Sequence, residues 1–72
     1  MKRYIIEFSN DMIRHEKQYK SPFNEKAVNY RIDRIEKYVA ACKAGLISDY
    51  ETMRAIIDVI ECERIPGGNV YD

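Results

Sequence analysis

The stretch "KAGLISDYE", Lys43 to Glu51, constrains this chain more than any other part of it. Gly45 ends a run of helix-forming residues, where a helix closes through a left-handed residue that glycine alone adopts without strain. Leu46 follows at the position where a Schellman closure folds an apolar side chain back onto its own helix. Ser48 offers a hydroxyl to the free N–H groups of a new first turn, and Glu51, three residues on, can reach back to the N–H of Ser48. A stop, two apolar residues and a start predict a short connection in an αα-hairpin.

The segments on either side carry helical spacing. Upstream, Val28, Ile32, Ile35, Val39, Cys42 and Leu46 alternate steps of four and three, the heptad spacing of one straight seam. Ser21 is a candidate cap and Pro22 a candidate first residue, because its missing N–H has no partner there in any case. This helix is expected over about 22–44. Downstream, Tyr50, Met53, Ile56, Ile57 and Ile60 form the matching stripe of a helix over 49–64, which Pro66-Gly67-Gly68 would end. Residues 66–72 read as a flexible tail.

The N-terminal part admits two readings. Tyr4, Ile5, Phe8, Met12, Ile13 and Tyr19 share one broad helical face, with Ile6 at its margin, and predict a helix over about 2–19. The alternative is a strand over residues 3–8, which would need a partner strand. The helix accounts for more residues. Glu16 falls inside its apolar face, so either the helix bends there or the carboxylate has a cationic partner. The fold class expected is therefore all-α: a single domain over 1–65, a small three-helix bundle built on an antiparallel αα-hairpin.

A chain of 72 residues is one domain of marginal size, and folding at this length buries only about 60% of the unfolded surface. Its 46% hydrophobic and 33% charged residues are those of a folded protein. Lys and Arg total 12 against 12 Asp and Glu, which speaks against a dedicated nucleic-acid binder. The start, "MKRYIIEF", is interrupted by Glu7 and lacks a cleavage site, and no apolar run approaches the roughly 18 residues of a membrane span. A cytoplasmic setting with reduced, buried thiols at Cys42 and Cys62 is the expectation, the two being far apart along the hairpin.

Chemistry finds few candidates. His15 stands one turn after Asp11, a spacing that suits a base and its orienter, but no nucleophile accompanies them; a part-buried or capping histidine is the better expectation. One histidine with two scattered thiols is a poor metal set, and no glycine-rich phosphate loop is present. No enzyme activity, cofactor or metal is expected.

Two surfaces remain after the seams are assigned. Helix 2 has a second face of Phe23, Ala27, Tyr30, Arg34, Lys37 and Ala41, and helix 3 a thinner one of Thr52, Ala55, Val59 and Cys62. Tyrosine and arginine are the residue types that most often carry interface energy, so Phe23, Tyr30, Arg34, Lys37 and Tyr38 are the candidate partner-binding residues, facing an acidic or phosphate-bearing partner. Against that stands the ordinary solvated face, in which basic stems cover apolar surface. Charge is also uneven: residues 14–37 hold seven basic against four acidic residues, and 49–63 five acidic against one basic. Either the two faces attract each other across the hairpin, which is the better expectation, or the molecule is polar and docks head to tail, or an acidic helix 3 competes for the basic nucleic-acid groove of another protein.

The segment "AGLISDYETMRAII" resembles the helical-hairpin turn of SHOCT-type domains in Gly45, Leu46, Ile47, Ser48 and Glu51, while Thr52 stands where those domains have an aromatic. The likeness implies the hairpin and no function. In size and composition the chain is similar to small accessory proteins of phages and other mobile elements, which implies an inhibitor of a larger host protein, such as a defence nuclease. The function expected is a non-catalytic protein–protein interaction module. A nucleic-acid-associated regulator and a homo-oligomeric structural module are the alternatives.

Overall fold

The computed structural model describes residues 1–64 and contains three helices: α1 (Arg3–Tyr19), α2 (Glu25–Lys43) and α3 (Asp49–Arg64). The expected terminator, the tail and the side chain of Cys62 lie outside what is described. The backbone N–H of Lys2, before α1, donates to Asp49 Oδ2 at the start of α3 (3.3 Å). Glu16, late in α1, meets Arg31, early in α2, at 2.6 Å. The helices therefore run up, down and up, with α2 packed against both neighbours. Residues 3–8 are helical throughout, so the strand alternative falls away.

The turn between α2 and α3 closes as its residues dictate. Gly45 has φ +80°. The N–H of Leu46 donates to Ala41 O (2.9 Å) and that of Gly45 to Cys42 O (3.0 Å), the two bonds of a Schellman closure. Ser48 and Glu51 then form the reciprocal capping box, Glu51 N–H donating to Ser48 Oγ (3.0 Å) and Ser48 N–H to Glu51 Oε1 (2.8 Å). One apolar expectation fails here. The Leu46 side chain is 77% exposed and neither folds back on α2 nor continues its seam. The closing bonds are made by its backbone alone.

The turn between α1 and α2 departs further from expectation. Helix α2 starts at Glu25, three residues later than Pro22 suggests. The amide of Asn24 accounts for the delay: its Oδ1 accepts from Ser21 N–H (2.6 Å) and its Nδ2 donates to the Tyr19 carbonyl (3.1 Å). Ser21 Oγ accepts from Phe23 N–H, two residues on, rather than from a helix's first turn (3.2 Å). The tight loop thus satisfies the end of α1 before α2 begins.

Among the described residues, five apolar side chains are buried: Ile5, Val28, Ile35, Cys42 and Ile56. Between them sit four polar ones, Ser9, Glu16, Arg31 and Thr52. The hydroxyls of Ser9 and Thr52 donate back to the carbonyls of Ile5 and Ser48, one turn earlier, so each is buried without an unpaired polar atom. This moves the contact line on α3 away from the expected stripe. Thr52 and Ile56 face inward, Met53, Ile57 and Ile60 are half-buried, and Tyr50 is 72% exposed. On α2 the line runs through Val28, Arg31, Ile35 and Cys42, with Ile32 and Val39 at its edge.

Candidate protein-binding face

The buried polar pair comes first, because it fixes where the surface of α2 points. Glu16 and Arg31 are 1% and 2% exposed, and Arg31 Nε donates to Glu16 Oε1 at 2.6 Å. The guanidinium also lies over the ring of Tyr19, 5.9 Å from its centre. Of the two explanations open for Glu16 in the apolar face of α1, the cationic partner is the one found. Sequence reasoning missed Arg31 itself. Its signal was spacing: three residues after Val28 and four before Ile35, Arg31 occupies the buried seam, whereas Arg34 does not.

With Arg31 turned inward, Arg34 and its neighbours look outward. Arg34 and Tyr38 are half-buried, while Tyr30 and Lys37 are exposed. Arg34 Nη2 donates to the Tyr38 hydroxyl (3.0 Å), and its guanidinium carbon lies 5.2 Å from the centre of the same ring. The Tyr38 hydrogen bond is the main cause that holds Arg34 above the ordinary guanidinium value, with the nearby Tyr30 and Asp33 adding to it. Arg34 is therefore a fixed cation, and among the described residues no carboxylate pairs with it. Lys37 is different: its ammonium meets Asp33 one turn earlier at 3.2 Å, both groups well exposed. Such a pair contributes little and exchanges readily.

The structure thus brings together four of the five candidates on α2. Phe23 is the exception. It sits in the turn before α2 rather than on its face, with 98% of its side chain exposed.

The other chemical candidates separate. Asp11 gives its carboxylate to Arg14 (2.7 Å), not to His15, and His15 is exposed rather than part-buried or capping. Cys42 is buried and its Sγ donates to Asp49 Oδ1 (3.2 Å). Among the described residues, no group of three or more His, Cys, Asp or Glu is placed to hold a metal ion. No helix among them is long and apolar enough to cross a membrane.

The acidic residues of α3 are largely occupied near home. Asp49 takes Lys2 N–H and Cys42, Glu51 closes the capping box, and Asp58 lies 3.9 Å from Arg54. Among the described residues, ion pairs form within α2 and within α3, as in Asp33–Lys37 and Arg54–Asp58, and none joins the two helices across the hairpin.

Fold and face together define a small all-α three-helix bundle carrying an aromatic–basic patch on its central helix. Compared with known proteins, the chain matches no family model, no curated protein and no solved structure.

Proposed function

We propose that this chain is a non-catalytic interaction module that binds an acidic surface of a larger protein through Tyr30, Arg34, Lys37 and Tyr38. The observation that carries the reading is Arg34: a cation without a carboxylate partner among the described residues, already oriented by the ring and hydroxyl of Tyr38. Orienting a guanidinium before binding removes part of the ordering cost that a free arginine would meet on association. Tyr30, 53% exposed on the same face, supplies aromatic area beside it. The partner is acidic because the patch offers cations and hydroxyl groups but no free carboxylate of its own. The action is occupation: a rigid helix covers a surface that the partner needs for its own work, and inhibition of a host nuclease is one form of it.

The test is capture from native host lysate, split into nuclease-treated and untreated halves, with wild type and Tyr30→Ala/Arg34→Ala in parallel. A protein retained by wild type in both halves and lost with the double variant, at unchanged helicity, supports the reading. Recovery that vanishes on nuclease treatment assigns the patch to nucleic acid instead. A partner retained equally by both chains removes the patch from consideration.

A further inference from the structure

On the other side of α2, away from the Tyr30–Arg34 patch, an open groove of about 310 Å³ runs between α1 and α2. Ile6 and Ile13 of α1 and Val39 of α2 give it apolar walls, and Glu36, Ala40 and Lys43 line its α2 edge. Ile6 is 39% exposed there, and Ile13 and Val39 are half-buried. Three apolar side chains are thus left partly uncovered, against five that are buried among the described residues.

We infer that the occupant of this groove is a second copy of the same chain, related by a two-fold axis passing beside Ala40. The argument is charge complementarity. Glu36, Ala40 and Lys43 are spaced four and three residues apart, so they form one line along α2, with opposite charges about 10 Å apart and a methyl group between them. When two such lines meet antiparallel at Ala40, each Glu36 lies opposite the partner's Lys43. An isologous interface requires a patch that complements itself, and this one does. Neither Glu36 nor Lys43 has an ion-pair partner among the described residues.

The shape agrees. Ala40 is exposed and small, so two α2 helices can approach to about 8–10 Å between axes. The close approach brings Ile6, Ile13 and Val39 of each copy against the other. A specific interface needs about 600 Å² per copy, roughly an eighth of the 5012 Å² that this chain exposes. The apolar walls supply the affinity and the two charge pairs set the antiparallel register, since exposed pairs contribute little energy by themselves. The dimer leaves both Tyr30–Arg34 patches facing outward, so it would engage a repeated partner bivalently. The dimer does not depend on what that patch binds.

Sedimentation equilibrium of the full chain over a range of concentrations tests the inference. Wild type is expected to move from 8.5 kDa towards twice that mass as concentration rises through the micromolar range. Ala40→Arg, an exposed substitution that leaves the helix intact, is expected to hold the chain as a monomer. Glu36→Lys alone weakens association at least tenfold, and adding Lys43→Glu recovers it. A strict monomer at every concentration overturns the inference. So does a dimer that survives Ala40→Arg, or one that Glu36→Lys weakens and the paired exchange fails to restore.

Discussion

The two joints of this bundle are made by different means. Between α2 and α3 the contacts begin within a few residues of the turn: a Schellman closure at Gly45, a capping box at Ser48 and Glu51, and the Cys42–Asp49 contact across it. Between α1 and α2 the central contact is a buried ion pair, Glu16–Arg31, whose members are fifteen residues apart. The first joint is specified by the backbone's need to satisfy its own helix ends. The second is specified by two side chains that must find each other. A local joint tolerates the loss of one part, because each cap is worth only about 1 kcal/mol. A buried charge is less tolerant, because removing its counter-charge leaves its desolvation cost uncompensated.

That difference can be tested in order of size. Arg31→Ala is expected to destabilise the domain by about 3–5 kcal/mol, enough to unfold much of a chain this small, as read from urea unfolding followed by circular dichroism. Glu16→Leu with Arg31→Met should recover most of that loss, because replacing both charges with apolar groups removes the desolvation cost together with the attraction. If Arg31→Ala costs under about 1 kcal/mol, the ion pair does not hold the α1–α2 joint, and the contrast fails.

Ile56→Ala probes the α2–α3 side where it is fully buried and is expected to cost about 2–5 kcal/mol in the same measurement. Gly45→Ala comes next. No neighbouring atom would meet the added methyl, but φ +80° places an L-residue in the left-handed region, for about 1–2 kcal/mol. Ser48→Ala should lose about 1 kcal/mol, and a combined Ser48→Ala/Glu51→Ala variant little more, since the two side chains act as one cap. The smallest effect belongs to the surface. Tyr30→Ala should change stability by no more than about 0.5 kcal/mol. Calorimetric melting of that variant separates a binding residue from a structural one.

Legibility in the sequence followed the same division. Helix α3, its start at Ser48 and the glycine stop were readable because each depends on residues at most five positions apart. The start of α2 was not, because Asn24 reaches back to the carbonyl of Tyr19, and no single-residue preference reports such a bond. The periodic stripes gave the helices but misplaced their contact lines by about one position. Leu46 and Tyr50 read as seam residues and lie outside, Ser9 and Arg31 read as polar and lie inside, and Thr52, read as part of a second, thinner seam of α3, is the residue buried there. A hydrophobicity pattern counts side chains as apolar or polar. It has no term for a hydroxyl satisfied by the carbonyl one turn back, or for a guanidinium satisfied by a distant carboxylate.

The candidate face was legible in part. Tyr30, Arg34, Lys37 and Tyr38 share a side of α2 by helical spacing alone, which any sequence of this period would show. Which arginine turns inward was not legible, since Arg31 and Arg34 differ by only three positions and carry the same charge. By itself the sequence determined three helices, their order and the hairpin between the last two, because those follow from local backbone chemistry. Only the tertiary structure decided that Arg31 is spent on Glu16 and Arg34 is left to face solvent beside Tyr38. A buried charge can be placed only where the fold brings its counter-charge within hydrogen-bonding distance, and that distance is set by how α1 lies on α2.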